Sequence, residues 1–450
     1  MRVNWARAIG ATGEAAGAAA GGGQGTPGSA GAAGGWGVGP GVNLPLLRNH
    51  NAALVLDLLR TAGEDGISRL ELAERTGLTP QAVSKIMARL RDERLVTEAG
   101  RRASTGGKPR TVLRLIPSAA YAVGVQMDRD ELTVVLLDLA GAQVASRAVT
   151  ADLGAGPDAV TGRIADQVRA LLTDALAGTA ADADAAGAGD VASAAAGETD
   201  AAVSAVGASV TDVVADEEPE RGRVPSSGPF ARVLGVGLAM PGPLDHRTGV
   251  PLRVTGYPEW DGYRLRDELA RRLGLPVVLD KDTNAAALGL LLRGEVGDFA
   301  YLHLGTGIGA GLVLDGALYR GAQTGAGEFG HQVVHFDGPR CACGKNGCIE
   351  AMCMAAAERG DIPEAARLLG IGVANLAELL DIEQVLLGGR VVAAAEAEFV
   401  RGVRSSLSSR HRVLVAPAGG GAYRVAEGAA QMVLAPVFGR AEVAFVSYPG

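Results

Sequence analysis

Residues 67–100, ISRLELAERTGLTPQAVSKIMARLRDERLVTEAG, have the pattern of two short helices separated by a tight turn. Gly77 stands where such a turn needs a permissive backbone. Thr79 can cap the second helix with its hydroxyl, and the proline that follows it suits a first helical position. The pattern predicts helices over about 68–75 and 80–93, which together form a helix-turn-helix.

The second of these helices is predicted to be a recognition helix, with its first residues facing base edges in the major groove. The sequence that follows it reads as a two-stranded wing rich in arginine, whose cations can meet DNA phosphates or the minor groove. From Lys85 to Arg114 there are nine basic residues and three acidic ones. The predicted DNA-binding residues are Thr79, Gln81, Ala82, Ser84, Lys85, Arg89, Lys108 and Arg110. A helical hairpin with a solvated charged face is the alternative, but it does not account for the cap, the spacing and the basic wing together.

Composition divides the chain into segments. Its 450 residues allow two or three domains, and residues 1–44 are Gly- and Ala-rich without periodicity, which predicts a disordered tail. Residues 177–229 carry ten acidic residues against two arginines, a net charge of −8 that equals the charge of the whole chain. This segment is predicted to be a disordered surface insertion, because so long a structureless loop inside a compact fold is otherwise improbable. The expected domains are a winged helix-turn-helix at 45–117, with a core of its own, and an effector domain at 118–440.

The effector domain is predicted to have an α/β fold, because strand-like runs alternate with helix-like runs along it. The strand-like runs include AVGVQM, LTVVLLDL, VLGVGLAM, PVVLD, FAYLHLG, GAGLVLDG and QVLLGG. The least polar long stretch, residues 300–319, contains five glycines and an aspartate and reads as two strands around a turn. The N-terminal sequence lacks the uninterrupted apolar core of a secretory signal. The expected location is therefore the cytoplasm, with no membrane partner.

All four cysteines fall between Cys341 and Cys353. In a reducing compartment such a cluster is more often a metal site than a disulfide. The stretch GEFGHQVVHFDGPRCACGKNGC, residues 327–348, places three cysteines in one Gly-rich knuckle, with a histidine ten positions before the first. Three thiolates and an imidazole make a closed tetrahedral site, which predicts a structural zinc. The predicted ligands are His331, Cys341, Cys343 and Cys348, whereas Cys353 is expected to be a buried thiol and His335 a surface imidazole.

These motifs together resemble the ROK family, which groups repressors, open reading frames and sugar kinases, over roughly residues 49–438 apart from the acidic segment. The resemblance rests on the zinc stretch, which continues to Glu350, and on LDKDTNAAALG, residues 279–289. It implies a two-lobed, actin-like ATPase fold of the ribonuclease H-like class, with a sugar held in the cleft between the lobes. By the same similarity the sugar-binding residues would be Gly242, Asp282, Glu328, His331 and Glu350, with His331 holding zinc through its other ring nitrogen. Carboxylates suit this task because they accept hydrogen bonds from several hydroxyls.

An ATP-dependent sugar kinase is the main alternative function, because Asp282 is retained and LGTGIGAG, residues 304–311, is a good Gly-rich phosphate loop. The family's kinases carry Asp-x-Gly-Gly-Thr on their first hairpin, whereas this chain has QMDRD from Gln126 to Asp130. Two carboxylates would then stand where ATP phosphates belong, and like charges so close repel strongly. The sequence therefore favours a protein without catalytic residues.

Lys281 departs from the family pattern, which usually has asparagine just before the residue equivalent to Asp282. A cation in place of an amide can alter the recognition of neutral sugars, so the expected effector is a small sugar or a sugar phosphate. The leading hypothesis is a repressor of carbohydrate-metabolism genes that binds operator DNA and responds to this effector. It is expected to be a homodimer or homotetramer, because helix-turn-helix proteins gain affinity by meeting two half-sites. A third hypothesis is an architectural DNA-binding protein whose cleft is vestigial.

Overall fold

The computed structural model describes residues 50–102, 110–187, 229–254, 256–408 and 412–440. Its N-terminal part, here called the head, spans residues 50–115 apart from residues 103–109. The elements of the head are α1 His50–Ala62, β1 Ile67–Ser68, α2 Arg69–Thr76, α3 Pro80–Asp92, β2 Val96–Arg102 and β3 Arg110–Leu115. Within the described residues its sheet has the order β1-β3-β2 and is antiparallel throughout, so a third short strand joins the two predicted wing strands.

The two central helices of the head begin and end where the side chains predict. A capping box starts α2, in which Ser68 Oγ accepts from the Glu71 N–H at 3.3 Å and Glu71 Oε2 accepts from the Ser68 N–H at 2.8 Å. Gly77 ends α2 with a left-handed φ of 71°. Thr79 Oγ1 then caps α3 by accepting from the Ala82 N–H at 3.2 Å. The predicted helix-turn-helix is therefore confirmed.

The effector domain contains two five-stranded sheets among the described residues, and both follow one pattern. In each, three consecutive strands form an antiparallel meander and two later strands add in parallel beside the first. Lobe 1 has β4 Tyr121–Met127, β5 Glu131–Asp138, β6 Gln143–Thr150, β7 Val233–Met240 and, after the short hairpin of β8 Leu244–Asp245 and β9 Val250–Pro251, β10 Val277–Lys281. Lobe 2 has β11 Phe299–Leu304, β12 Ile308–Leu314, β13 Ala317–Tyr319, β14 Gln384–Gly388 and β15 Leu414–Pro417. The repeat of this pattern confirms the two-lobed, actin-like fold.

Helices cover both faces of the two sheets. Their bounds are α4 Pro157–Gly187, α5 Leu265–Leu273, α6 Asp282–Leu292, α7 Ile349–Glu358, α8 Ile362–Leu380, α9 Arg390–Ala394, α10 Glu396–Ser406 and α11 Arg424–Leu434. Apolar residues of α4 and α5 share one cluster with the outer face of lobe 1, and those of α7, α8 and α10 share another with lobe 2. Helices α6 and α11 pack between the two sheets, in a cluster to which both sheets contribute. The interlobe region is therefore built on these two helices.

Helix α4 corrects one prediction. The segment from residue 177 was expected to be disordered, but α4 runs without a break to Gly187. Its last turns have the sequence AGTAADADAAG, and alanine is the best helix former, so extending a helix that lobe 1 has already ordered costs little free energy. The remainder of the predicted insertion, residues 188–228, and the predicted tail, residues 1–44, lie outside the described residues.

The apolar core of the head, which includes Leu72, Met87, Leu90 and Leu113, is continuous with apolar residues of the effector domain. Leu56 and Leu59 of α1 belong to the same apolar cluster as Val437 and Phe438, in the short 3-10 helix that follows α11. A small helical head leaves apolar surface on α1, and the 3-10 helix Ala435–Phe438 supplies a surface that covers it. The head is therefore packed onto the effector domain.

Candidate functional site

The two lobes meet at a cleft of about 630 Å³, measured out to its open mouth. Its lining includes every residue that the family resemblance assigns to sugar binding: Gly242, Asp282, Glu328, His331 and Glu350. The other lining residues are Asp128, Arg129, Pro241, Lys281, Thr283, His303, Thr306, Gly307, Ile308, Gly309 and Gly327. The structure thus brings the five residues together, while their contact with a sugar stays a prediction.

Asp282 is the first residue of α6 and enters the cleft from the end of β10. Its Oδ1 accepts from the Thr283 N–H at 2.7 Å. Burial raises the pKa of Asp282 to about 7; the hydrogen bond from Thr283 opposes this rise, and the carboxylates of Asp128 and Glu328 add to it. A carboxyl with this pKa is present in both forms near neutral pH, so it can accept from a hydroxyl or donate to one.

Lys281 is a buried cation, only 2 % exposed, at the end of β10. Its Nζ donates to Glu328 Oε1 at 3.1 Å and also to the carbonyl of Ala326. Both acceptors belong to the loop that follows β13 in lobe 2, whereas Lys281 belongs to lobe 1. The side-chain stem runs past Gly242, where an added Cβ would lie 2.8 Å from Lys281 Cδ. The charge of Lys281 is therefore used to hold Glu328 and to join the lobes.

Two further contacts join the same loop of lobe 2 to lobe 1. Arg320 Nε donates to Asp280 Oδ2 at 2.6 Å, and His246 Nδ1 lies 2.7 Å from Thr324 Oγ1. Asp280 and Thr324 are each no more than 2 % exposed, so these contacts are shielded from water. The loop that carries Glu328 is held at three places before any ligand binds.

His303 and Arg129 are ionisable residues of the cleft that were not among the predicted site residues. Burial lowers the pKa of His303 to about 4, so the ring is neutral, and its Nδ1 lies 2.9 Å from the Tyr301 hydroxyl. Arg129 Nε is buried and has no hydrogen-bond partner among the described residues. The signal for His303 was its place in FAYLHLG, where a polar residue stands at the end of a buried strand before a Gly-rich loop.

The hairpin between β4 and β5, where the family resemblance predicts the phosphate motif of the kinases, is joined to lobe 2 by side chains. The hairpin between β4 and β5 carries Asp128, which accepts from Thr306 Oγ1 at 2.8 Å, and Asp130, which lies 2.8 Å from Arg390 Nη1. Thr306 and Arg390 belong to lobe 2, so both contacts cross the cleft. The two carboxylates expected to repel phosphate are engaged in holding the lobes together.

Glycines of the Gly-rich loop at 304–311 and of the Gly388–Gly389 pair after β14 have packing reasons to be there. A Cβ on Gly311 would lie 2.1 Å from the carbonyl oxygen of Thr283. Gly389 has a φ of +93°, and a Cβ there would lie 2.3 Å from the carbonyl oxygen of Leu304. Close backbone approach thus explains both glycines without a nucleotide.

The four predicted metal ligands converge on one point. One ligand atom from each of His331, Cys341, Cys343 and Cys348 lies within 4.8 Å of the other three. Cys343 Sγ is 3.7 Å from Cys348 Sγ, and Cys341 Sγ is 3.7 Å from His331 Nδ1. Zinc–sulfur bonds of about 2.3 Å in a tetrahedron place sulfur atoms about 3.8 Å apart, so the residues fit zinc. Cys353 is buried and donates to the carbonyl of Ala365, and His335 is exposed, as expected.

The ring of His331 connects this metal centre to the cleft. Its Nδ1 faces the cysteines, while the residue also lines the cleft beside Glu328 and Glu350. Glu350 follows the predicted ligand Cys348 by two residues, and its Oε2 accepts from the Ile308 N–H at 2.8 Å. One short segment therefore supplies both metal ligands and cleft residues.

In the head, Thr79, Gln81, Ser84 and Lys85 are exposed on the N-terminal half of α3, and Ala82 is half-buried among them. Arg89 is folded back, with Nε 3.8 Å from Glu93 Oε1, and two of its nitrogens are buried without a hydrogen-bond partner among the described residues. A phosphate contact by Arg89 thus requires a change of rotamer. Arg110 begins β3, and Lys108 lies outside the described residues.

Comparison with known proteins agrees with both parts of the molecule. The profile of the ROK family matches residues 226–360, and a profile described as winged helix-turn-helix DNA-binding matches residues 54–97. The xylose repressor of Caldicellulosiruptor bescii is 24% identical over 82% of this chain and 90% of its own length. The glucokinase of Halalkalibacterium halodurans is 30% identical over 42% of this chain and 71% of its own length.

Solved structures show the same fold. A ROK family transcriptional regulator, described as a homolog of the Escherichia coli Mlc protein, superposes with a TM-score of 0.61 at 20% identity, over 88% of this chain and 98% of that chain. A ROK family glucokinase from Streptomyces griseus, in complex with glucose and an ATP analogue, covers 70% of this chain and 99% of its own, with a TM-score of 0.50 at 23% identity. Among the described residues, no helix has the length and apolar character that crossing a membrane requires.

Proposed function

The chain belongs to the ROK family, and from this premise we propose that it is a sugar-responsive transcriptional repressor. One observation carries the proposal. A winged head and a cleft lined by the carboxylates of Asp282, Glu328 and Glu350 stand in one chain, while Asp128 and Asp130, on the hairpin where the family's kinases carry their phosphate motif, bridge the two lobes. The relatives named xylose repressor match the chain across both parts.

The effector binds in the interlobe cleft. Asp282, Glu328 and Glu350 accept its hydroxyls, the free ring nitrogen of His331 adds a fourth contact, and Gly242 lets backbone approach the sugar. Convergence of these five residues on one cleft supports this assignment. Because Lys281 is already paired with Glu328, it does not offer a free cation to an anionic group, and Arg129 is the other cation that lines the cleft. We propose a neutral sugar as the effector, with the sugar phosphates of the panel below as the alternative.

Zinc is held by His331, Cys341, Cys343 and Cys348, and its role is structural. The spacing of the ligand atoms supports this. Four protein ligands complete a tetrahedron, so no position is open for substrate or water. When bound, the ion fixes the direction and tautomer of His331, which in turn presents its other nitrogen to the cleft.

The head reads operator DNA through α3. Gln81, Ala82, Ser84 and Lys85 face base edges, while Thr79, Arg89, Lys108 and Arg110 contact the backbone. Exposure of the N-terminal half of α3 supports the first group. A dimer or tetramer of this chain places two heads on two half-sites of the operator, which gives a higher affinity than one head has for one half-site.

The protein is not a sugar kinase. Asp128 and Asp130 present negative charge and cross-cleft contacts where ATP phosphates would need backbone donors. The test is an ATP-turnover assay of the full chain with D-xylose, D-glucose, N-acetylglucosamine and their phosphates, together with thermal shifts on the same panel. We expect a thermal shift with a neutral sugar, weaker operator binding in its presence and no ADP. Phosphorylation of any panel member would overturn the repressor-only assignment, and a panel without a thermal shift would favour an architectural protein.

A further inference from the structure

One helix connects the cleft to the head. Helix α11 lies between the two sheets, and the 3-10 helix that continues it, Ala435–Phe438, packs against α1. We propose that Asp57 and Arg440 are positioning residues of the sugar response, and that through their contact α11 passes the state of the cleft to the head. This inference rests on the proposed function and adds the residues that couple its two sites.

The cleft end of α11 is joined to a cleft residue by two contacts. Arg424 is the first residue of α11, and its Cζ lies 6.0 Å from the centre of the Tyr301 ring. The Tyr301 hydroxyl lies 2.9 Å from Nδ1 of His303, which lines the cleft. Tyr301 belongs to lobe 2, so a movement of lobe 2 against lobe 1 changes what Arg424 meets.

Along its length α11 is in close backbone contact with α6 and with the sheet of lobe 1. A Cβ on Gly428 would lie 2.0 Å from the carbonyl oxygen of Ala285 in α6, and a Cβ on Gly124 in β4 would lie 1.9 Å from that of Ala426. A Cβ on Gly237 in β7 would likewise lie 1.8 Å from the carbonyl oxygen of α11 residue Ala429. Close-packed contacts of this kind move as a unit. Helix α6 begins at Asp282 on the lobe 1 wall of the cleft, and Tyr301 belongs to lobe 2. Both walls of the cleft are therefore in contact with α11, through α6 and through Arg424.

At the head end a buried carboxylate receives the contact. Asp57 of α1 is 8% exposed, and its Oδ2 accepts from Arg440 Nε at 3.0 Å. Its Oδ1 accepts from Arg60 Nη2 at 2.9 Å, and the Arg60 guanidinium lies 5.1 Å from the centre of the Phe438 ring. Loss of either partner leaves an imperfectly compensated buried charge, which gives this small contact a large effect.

The chain that connects the head to lobe 1 is itself tied to lobe 1 by hydrogen bonds, one of which runs from Arg232 Nη1 to the carbonyl of Ser118 at 3.1 Å. Residues 116–120 join β3 to β4, and the Leu139 N–H donates to the carbonyl of Pro117 at 3.0 Å. A covalent link on one side and the Asp57–Arg440 contact on the other together fix the direction of the head. A movement at the α11 attachment that the covalent link does not share therefore turns the head about that link.

The first test needs neither sugar nor DNA. Hydrogen exchange of α1 amides is measured in the full-length native protein, Tyr301→Phe, Arg440→Gln and the double variant, each normalised to β10. We expect Tyr301→Phe to change α1 exchange at least three-fold in the native background and less than 1.5-fold in the Arg440→Gln background. Arg440→Lys, which keeps the charge, should restore part of the dependence. Arg147→Gln, which breaks an ion pair with Asp174 away from α11, is the matched control.

Two outcomes would overturn the proposal. In one, the fold-changes in α1 exchange caused by the two substitutions multiply in the double variant; in the other, Tyr301→Phe has the α1 exchange of the native protein.

The second test titrates an operator fragment, selected from random DNA with the native protein, in the presence of D-xylose. Without sugar, Arg440→Gln should bind the fragment with an affinity within about three-fold of that of the native protein. The change of affinity that D-xylose causes should be at least about ten-fold smaller in Arg440→Gln than in the native protein. A change as large as in the native protein would also overturn the proposal. If the native protein binds DNA and its affinity does not change with D-xylose, D-glucose or N-acetylglucosamine, the proposed function is contradicted instead. The hydrogen-exchange comparison of the four proteins still tests the coupling through Asp57 and Arg440, because it needs no sugar.

Discussion

Lys281 Nζ lies 3.1 Å from Glu328 Oε1, and this ion pair joins the last residue of a lobe 1 strand to a loop of lobe 2. The two partners differ in environment, because the lysine side chain is 3% exposed and the glutamate side chain 41% exposed. The ammonium group of Lys281 is therefore shielded from water and bound to Glu328, whereas the carboxylate of Glu328 keeps one side open to the cleft. A ligand that binds Glu328 meets a carboxylate whose direction is already fixed.

Replacing Lys281 with methionine should weaken both the fold and the sugar site. The substitution keeps the buried stem but removes the charge, and we expect a loss of about 1–3 kcal/mol in stability. This is less than for a fully buried pair, because Glu328 can take up water. The thermal shift given by the best sugar of the panel should fall with it. Lys85→Met, on the exposed face of α3, is the control. If Lys281→Met had the melting temperature and the sugar-induced thermal shift of the native protein, the Lys281–Glu328 pair would have no part in stability or sugar binding.

The raised pKa of Asp282 gives stability a pH dependence of definite sign. Its folded pKa of about 7 lies above the ordinary value of 3.8, so the folded state binds the proton more tightly. Stability should therefore fall as pH rises from about 4 to about 7. Asp282→Asn should flatten this part of the melting-temperature profile and raise the melting temperature at about pH 8. The exposed residue Asp261 offers a matched Asp→Asn control, and an unchanged slope in Asp282→Asn would assign the titration to another group.

The sequence was informative where chemistry is local. The helix-turn-helix, the cysteine knuckle and the cleft residues each sit in a short motif, and the motif fixes which side chains come together. Contacts between distant segments could not be predicted in this way. Lys281 finds its partner 47 residues later, and Asp57 finds Arg440 at a separation of 383 residues. Both depend on how the lobes and the head pack.

Substitutions in the head should separate base recognition from phosphate binding. Gln81→Ala should change the preferred bases, because Gln81 is exposed at the start of α3. Lys108→Ala should weaken binding to all sequences and lower the salt slope by about 1, because phosphate contacts carry no sequence information. Arg89→Ala should behave like Lys108→Ala only if its guanidinium leaves Glu93 on binding. Titrations at several salt concentrations check this, and an unchanged slope in Lys108→Ala would remove the wing from the interface.

Removal of the metal should abolish the sugar response without abolishing DNA binding. Cys343→Ser takes one thiolate from the ligand set, so zinc content should fall and His331 should lose its fixed direction. The knuckle lies in lobe 2, whereas the head packs on the far end of α11, so operator binding should persist at low temperature. Asp282→Ala is the matched comparison, because it approaches the cleft from lobe 1 and should keep zinc and DNA binding while losing the sugar effect. The measurement is zinc content beside operator release for both variants. If Cys343→Ser lost its zinc and still released DNA like the native protein, the knuckle would be a scaffold only, and His331 would no longer belong to the sugar site.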